Sequence, residues 1–373
     1  MFCYVYIILL FSINLASSTP KCVDFVDHNR QYPLVCTCED PSLCQPIPRA
    51  KGKTRLAYSK VPENWKYYDF TKITELILSF ATADIDPELV CMAHKNNVQL
   101  HLKGCFTNET YLNPVKQDEW IDDNLKKLTD NYLDGINIDF EQPRNAEHEP
   151  LLVSFMVKLS KKLRSMNSNY QLTYCLETFP KPNNDYTTIP EVMDYLMIMD
   201  YDQANINEQE HCYASANEHP LTTITGLTEY LELGIPPSKI VIGMPWYGLL
   251  ATCEKITSSG RCIVKNCSHD SRMEMTIPKV YELYDVNGNY KLTQGWDDAK
   301  VSPFLTIIPK VDNLDPIQFW YDNSISLTRK AEMYKPFQIR GIGVFHADCL
   351  NYTMPVMKSM NKDFWNLFTV FQD

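Results

Sequence analysis

Residues 133–141 alternate apolar and polar side chains, and this pattern constrains the fold more than any other in the chain. Successive side chains of a β-strand point to opposite faces. One face of this strand holds Ile136, Ile138 and Phe140, and the other holds Asn137, Asp139 and Glu141. Two acids close together in a partly dry site repel, so one of them is pushed to keep its proton, as a general acid must. The alternative is an edge strand with a solvated acidic face.

The place where this strand ends also points to a reactive role. Glu141 comes at the end of the apolar run, and the polar, proline-containing residues 142–144 follow it. In a β/α barrel, catalytic side chains are delivered at the carboxyl ends of the strands. We therefore predict that Asp139 and Glu141 belong to an active site.

Eight short apolar runs recur along the chain with helical segments between them. The predicted strands cover residues 55–58, 73–80, 98–103, 135–141, 171–177, 195–202, 240–248 and 341–346. Segments 119–132, 151–166 and 227–233 have helical spacing. This alternation predicts an α/β fold, a (β/α)8 TIM barrel. An open doubly wound sheet is disfavoured because no Gly-x-Gly-x-x-Gly follows the first strands.

The chain between the seventh and eighth strands is too long for a simple crossover. We predict that residues of about 249–325 form a disulfide-containing inserted lobe with short strands on the active face, before the next barrel helix. The final stretch, residues 361–373, is predicted to form a last helix. A single barrel domain then covers residues 19–373.

Residues 1–18 are typical of a secretory signal peptide. Residues 4–11 form an apolar core that is too short to span a bilayer, and small residues follow it. No basic residue precedes that core, which departs from the usual pattern. The formal charge of -11 argues against nucleic-acid or membrane partners.

Cysteine usage agrees with export, since 12 of the 13 cysteines remain when Cys3 is removed with the signal. An even, high count in an exported chain predicts disulfides, whose pairing the sequence leaves open. Two groups stand out: Cys36, Cys38 and Cys44, and then Cys253, Cys262 and Cys267. A zinc site at the first group is disfavoured, because no Cys-x-x-Cys or histidine pair completes four ligands. We expect no metal, and we expect glycosylation at the sequons of Asn108, Asn266 and Asn351.

Residues 134–141, Asp-Gly-Ile-Asn-Ile-Asp-Phe-Glu, resemble the fourth-strand signature Asp-Gly-x-Asp-x-Asp-x-Glu of family 18 glycoside hydrolases. Asn137 stands where most members have an Asp, as in a branch of the family that cleaves di-N-acetylchitobiose. Weaker likenesses occur in order at residues 42–47, 102–104, 214–217, 243–248, 320–323 and 340–343. The resemblance covers nearly the whole mature chain.

The resemblance implies a retaining hydrolase of β-1,4-linked N-acetylglucosamine that uses the substrate's own acetamido group as nucleophile. Its catalytic residues would be Glu141 as the acid, Asp139 as acceptor of the acetamido N–H, and Tyr201 as donor to the acetamido oxygen. Its substrate-binding residues would be Asn137, Asp202, Gln203, Trp246 and Phe345. The implied setting is glycoprotein breakdown in the lysosome, or secretion, by a monomer without a cofactor.

Several residues depart from the family pattern. Phe345 occupies the eighth-strand position where the family usually has Trp, and Glu177 at the fifth-strand end could perturb Glu141. Trp246 has an alternative as an ordinary core aromatic. A chitinase-like lectin that binds chito-oligosaccharides without turnover is the competing function, although Glu141, which such lectins have lost, favours an enzyme. A chitinase acting on polymer ranks lower, because the chain has no linker or chitin-binding module.

Overall fold

The computed structural model describes residues 33–142, 145–203, 212–267, 272–284, 288–311 and 314–372. The predicted signal segment, residues 1–18, lies outside the described residues. Eight parallel strands close a barrel: β1 Thr54–Ser59, β2 Glu75–Leu78, β3 Gln99–Gly104, β4 Gly135–Ile138, β5 Gln171–Glu177, β6 Tyr195–Met199, β7 Ile240–Pro245 and, last in the chain, β14 Gly341–Phe345. The predicted TIM barrel is confirmed.

Helices surround the barrel and cover the outer faces of its strands. They are α1 Pro87–Lys95, α2 Asn108–Leu112, α3 Pro114–Asp130, α4 Glu149–Met166, α5 Thr188–Val192, α6 Pro220–Glu232, α8 Ser324–Tyr334 and α9 Lys358–Trp365. The α4 helix buries Leu152, Phe155, Leu159 and Leu163, whose three-to-four spacing places them on one face. A 3-10 helix, Asn366–Phe371, follows α9, so the prediction of a final helix is confirmed.

The fourth strand is shorter than the sequence pattern suggests. It ends at Ile138, so Asp139 and Glu141 lie just past its carboxyl end. The backbone N–H of Asp139 still bonds to Gly104 O at 2.9 Å, which ties this segment to β3. The backbone that carries Asp139 and Glu141 is therefore held at the end of the strand, and their side chains project at the mouth of the barrel.

An inserted lobe occupies the chain between β7 and β14, as predicted. Its strands are β8 Gly248–Ile256, β9 Cys262–Val264, β10 Arg272–Met275, β11 Tyr290–Asp297, β12 Ser302–Pro309 and β13 Ile317–Trp320, and its helix is α7 Ile277–Tyr284. The sheet order is β10-β8-β13-β12-β11, with β9 paired to β8. All of these pairings are antiparallel, in contrast to the barrel.

A buried ionic cluster joins the lobe to the barrel. The Nζ atom of Lys330, in α8, lies 2.7 Å from Asp322 Oδ1 and donates to Glu218 O at 2.9 Å. Asp322 follows β13 of the lobe, while Glu218 precedes barrel helix α6. All three side chains are buried, so this contact links the end of the lobe to barrel helices α6 and α8, and loss of one partner would leave an uncompensated buried charge.

Disulfides stabilise two parts of the chain, which confirms the predicted cystine content. Cys36–Cys44 closes a loop in the first described segment, and Cys38–Cys91 ties that segment to α1. Cys253–Cys262 lies in the lobe, and Cys212–Cys267 joins the lobe to the chain before α6. The cysteines once considered for zinc are therefore oxidised pairs. Among the described residues, Cys175 and Cys349 are free and buried. None of the helices in the described ranges is long and apolar enough to cross a membrane.

Candidate active site

Asn137 forms the base of the site inside the barrel. It is fully buried, its Nδ2 donates to Thr173 Oγ1 at 2.8 Å, and its Oδ1 accepts from the Tyr58 hydroxyl at 2.7 Å. The two ends of the amide are therefore engaged by Thr173 of the neighbouring strand β5 and by Tyr58 of β1, which is not adjacent to β4. This placement corrects the predicted substrate contact: Asn137 supports the site from below.

Asp139 lies one pleat above Asn137 and meets a lysine. Its side chain is 10% exposed, and its Oδ2 atom lies 2.6 Å from the Nζ atom of Lys103 on β3. Among the described residues, Asp139 Oδ1 is buried and has no N–H or hydroxyl donor, and the carboxyl group of Glu141 shares a hydrogen bond with the Asp139 carboxylate. A buried acceptor without a donor is costly in the free protein, and a ligand N–H at this point would satisfy it.

Glu141 has the electrostatic character of a general acid. As a residue it is exposed at the mouth, but protein atoms surround its carboxyl group closely enough to limit hydration. Loss of hydration and then the neighbouring Asp139 raise the pKa of Glu141 to about 7, against an opposing effect of Lys103. The predicted push on one acid by the other is thus present in the structure, and Glu141 holds its proton in mildly acidic solution.

An aromatic wall faces the two acids. Tyr201 stacks on Phe345 with ring centroids 5.5 Å apart and an interplanar angle of 23°. Burial, and then nearby groups that include Asp139, raise the pKa of Tyr201 well above its ordinary value, so its hydroxyl remains a donor. Tyr201 thus lies close enough to Asp139 and Glu141 for their charges to act on it, and Phe345 packs against Tyr201.

Asp202 is held in an unusual backbone conformation at the rim. Its φ of 59° lies in the left-handed region, and its N–H donates to Asn217 Oδ1 at 2.7 Å. Its Oδ1 accepts from the Tyr247 hydroxyl at 2.8 Å. Such a conformation costs on the order of 1 kcal/mol or more in a residue other than glycine and is common at functional sites.

The structure corrects the substrate-binding predictions for Trp246 and Gln203. Trp246 is 1% exposed and packs edge-on against Phe364 and Trp365 of α9, so its ring has no open face for a sugar. The core alternative for Trp246 is the one that fits. Gln203 is also buried: its Nε2 donates to Asp200 Oδ1 and its Oε1 accepts from the His219 N–H.

A cavity of about 340 Å³ opens beside Glu141. Its lining includes Glu141, Gln142, Cys175, Glu177 and Phe179. Glu177 borders this cavity, but its carboxylate pairs with the ammonium group of Lys181 at 2.7 Å, and both side chains are solvated.

Sequence reasoning gave no role to several residues that shape the site. Lys103 was noted only as part of a family likeness, yet it contacts Asp139 directly. The sequence pattern that could have identified Lys103 is the alternation of Gln99, His101 and Lys103 along β3, which places polar side chains on the inner face. Glu274 of the lobe was not anticipated, and its charge acts on Tyr247 at the rim.

The predicted glycosylation sites differ in exposure. Asn266 is exposed, whereas Asn351 is partly buried and its Oδ1 accepts from the Thr353 and Met354 N–H groups. Asn108 begins α2, and its Oδ1 is buried. Asn266 therefore offers the most accessible acceptor of the three.

The chain belongs to glycosyl hydrolases family 18, whose family model matches residues 57–349. It is a glycosidase, with a closed eight-stranded barrel and two acids at the family's fourth-strand position. Within the family it is similar to di-N-acetylchitobiase of Mus musculus, at 29% identity over 345 residues that cover 88% of this chain and 92% of that protein. Di-N-acetylchitobiase of Homo sapiens is 28% identical over 348 residues, which cover 89% of this chain and 88% of the human one.

Solved structures share the fold. A family 18 chitinase from Cycas revoluta, solved in complex with (GlcNAc)3, superposes with a TM-score of 0.65 at 14% identity. The match covers 84% of this chain and 99% of that chain. At this identity the likeness concerns the barrel architecture, so the chemistry has to be argued from the residues themselves.

Proposed function

We propose that this glycosidase hydrolyses the β-1,4 bond of N-acetylglucosamine-containing oligosaccharides, with the di-N-acetylchitobiose core of N-glycans as its substrate. The observation that carries the proposal is the hydrogen-bonded pair formed by Glu141, whose pKa is raised to about 7, and Asp139, whose buried Oδ1 has no N–H or hydroxyl donor among the described residues. Glu141 supplies a proton, and Asp139 supplies a hydrogen-bond acceptor. The similarity to di-N-acetylchitobiases supports the choice of substrate.

In the first step Glu141 protonates the glycosidic oxygen. The carbonyl oxygen of the substrate's acetamido group attacks the anomeric carbon, and the bond to the leaving sugar breaks. Asp139 Oδ1 accepts the acetamido N–H, which orients the attacking oxygen and offsets the positive charge that develops on the ring it forms. The neutral hydroxyl of Tyr201 donates to the acetamido oxygen.

In the second step water attacks the anomeric carbon and the acetamido group leaves it. Glu141, now a carboxylate, takes the proton from that water and returns to its starting form. Two displacements on opposite faces of the sugar give retention of configuration, without a nucleophile from the protein.

The shape of the site supports a short leaving group. The cavity of about 340 Å³ lies on the Glu141 side and is bounded by Phe179 and the Glu177–Lys181 pair. We assign it to the sugar released from the reducing end, while the Tyr201–Phe345 wall receives the reacting sugar. Phe345 keeps an aromatic face for stacking but offers less area than Trp.

The same proposal includes a compartment. Disulfides persist in oxidising compartments, and a general acid with a pKa of about 7 is fully protonated in an acidic one. We propose delivery to the lysosome by the secretory route, with secretion as the alternative. There the protein would act as a monomer in glycoprotein oligosaccharide breakdown, without a metal or cofactor, and with no nucleic acid or membrane as partner.

The test is direct. Purified protein is incubated with di-N-acetylchitobiose and with longer chito-oligosaccharides at pH 5 and pH 7, and products are followed by chromatography. Native protein should release N-acetylglucosamine, and Glu141→Gln should reduce turnover by about a hundredfold to ten-thousandfold. Binding of the oligosaccharides without any turnover by the native protein would instead establish the lectin alternative.

A further inference from the structure

Lys103 is a partly buried cation in the interior of the barrel. Its side chain is 17% exposed, and its ammonium group reaches Asp139 Oδ2 at 2.6 Å. In register, Lys103 lies beside Asn137 on the neighbouring strand, so both side chains face the same side of the sheet. Placing an ammonium group there costs hydration, and a carboxylate partner has to offset that cost.

The two oxygens of Asp139 have different surroundings. Lys103 holds Oδ2, whereas Oδ1 is buried and has no N–H or hydroxyl donor among the described residues; the carboxyl group of Glu141 is the other hydrogen-bonding neighbour of Asp139. Asn137 cannot take over the role of Lys103, because its amide is engaged by Thr173 and Tyr58. The contact of Lys103 with Oδ2 thus determines that Oδ1 is the oxygen of Asp139 available to a ligand.

We propose that Lys103 is a positioning residue for the reaction: it anchors one oxygen of Asp139 so that the other is aimed at the acetamido N–H. This inference rests on the proposed function. The neutral Asn137 at the base of the site gives Asp139 no charge partner from below, and Lys103 supplies that partner from the next strand.

Titratable groups approach Asp139 from several elements. They are Tyr58 of β1, Lys103 of β3, Glu141 beyond β4, Cys175 of β5 and Tyr201 beyond β6, and Asp202 acts on Glu141 and Tyr201. Burial disfavours the charged form of Lys103, but Asp139 outweighs this effect and the pKa of Lys103 is raised. Lys103 therefore remains a cation throughout the working range, and it lowers the proton affinity of Glu141.

The experiment compares Lys103→Met with Lys103→Arg, which keeps the charge. Lys158→Met is the matched control, because Lys158 also lies 2.6 Å from an aspartate, Asp118, but on the exposed surface. Two quantities are measured for each protein. One is the ratio of affinities for di-N-acetylchitobiose and its de-acetylated form, and the other is the pH dependence of kcat/KM.

The ratio of affinities for the acetylated and the de-acetylated sugar should be about tenfold lower in Lys103→Met than in the native protein. The reason is that a misdirected Asp139 no longer selects the acetamido group. The kcat of Lys103→Met should fall more than its KM rises. The alkaline limb of its pH profile should move to higher pH, since two carboxyl groups without a cation hold their shared proton more tightly. Lys103→Arg should restore the position of that limb, and Lys158→Met should match the native protein.

Unchanged binding of the de-acetylated sugar shows that the Lys103→Met pocket is folded. A native affinity ratio and an unmoved alkaline limb in that variant would overturn the inference while leaving the proposed function intact. If the native protein binds but never cleaves, the proposed function fails. In that case the affinity ratio alone tests whether Lys103 positions Asp139.

Discussion

The ring of Phe345 lies against that of Tyr201, with centroids 5.5 Å apart and planes 23° from parallel. Phe345 ends β14 and Tyr201 follows β6, and β7 lies between these two strands in the barrel. Phe345 also meets Tyr58 edge-on at 5.4 Å. The residue that departs most clearly from the family pattern is therefore fixed within the aromatic wall of the site.

Phe345→Trp is expected to increase catalytic efficiency. The wall residue stacks on the sugar ring that distorts towards the transition state, so added aromatic area stabilises that state. A gain of about tenfold in kcat/KM corresponds to about 1.4 kcal/mol, within the range of one aromatic contact. Steady-state kinetics on di-N-acetylchitobiose measure it. If native protein and variant both bind chito-oligosaccharides and neither cleaves them, the lectin alternative holds.

Activity should fall on the alkaline side with a midpoint near the pKa of Glu141. Burial and the charge of Asp139 raise that pKa to about 7. Because the acid must carry its proton, kcat/KM should be level below this pH and fall about tenfold per pH unit above it. A profile of kcat/KM from pH 4 to pH 9 measures the midpoint. A fall that begins below pH 5 would show that Glu141 is not held in its protonated form.

The folded state should be more stable at pH 5 than at pH 8. Burial raises the pKa of Glu75 and of Asp200 to about 7 each, whereas both titrate near pH 4 in an unfolded chain. A raised folded-state pKa contributes stability that is present below pH 4 and lost as the pH rises to about 7. Thermal unfolding across this range should show the loss, and Glu75→Gln should reduce it. An equal Tm at both pH values would contradict this reasoning.

The barrel could be predicted because short, local patterns in the sequence mark its strands and helices. Parallel strands covered by helices are buried on both faces, so they stand out as short apolar runs separated by segments of helical period. The fifth strand was predicted with its correct ends, Gln171–Glu177. The fourth was predicted to continue to residue 141, yet it ends at Ile138, because the alternating pattern persists where the strand pairing stops.

Side-chain placement depends on contacts that no local pattern carries. Trp246 was assigned to the sugar site, but helix α9, more than a hundred residues further along the chain, covers its ring. Gln203 was misassigned for the same reason, since its amide bonds to Asp200 and to the backbone of His219, further along the chain. The pairing of Cys38 with Cys91 likewise depends on how α1 packs.

The central claim is that the nucleophile belongs to the substrate and that Asp139 and Tyr201 direct it. The most direct measurement compares the rates at which the native protein hydrolyses di-N-acetylchitobiose and the same disaccharide without its N-acetyl groups. A thiazoline analogue of N-acetylglucosamine serves as the inhibitor control. We expect cleavage of the acetylated sugar, inhibition by the thiazoline and no measurable cleavage of the de-acetylated sugar. Comparable rates on the two disaccharides would contradict the central claim.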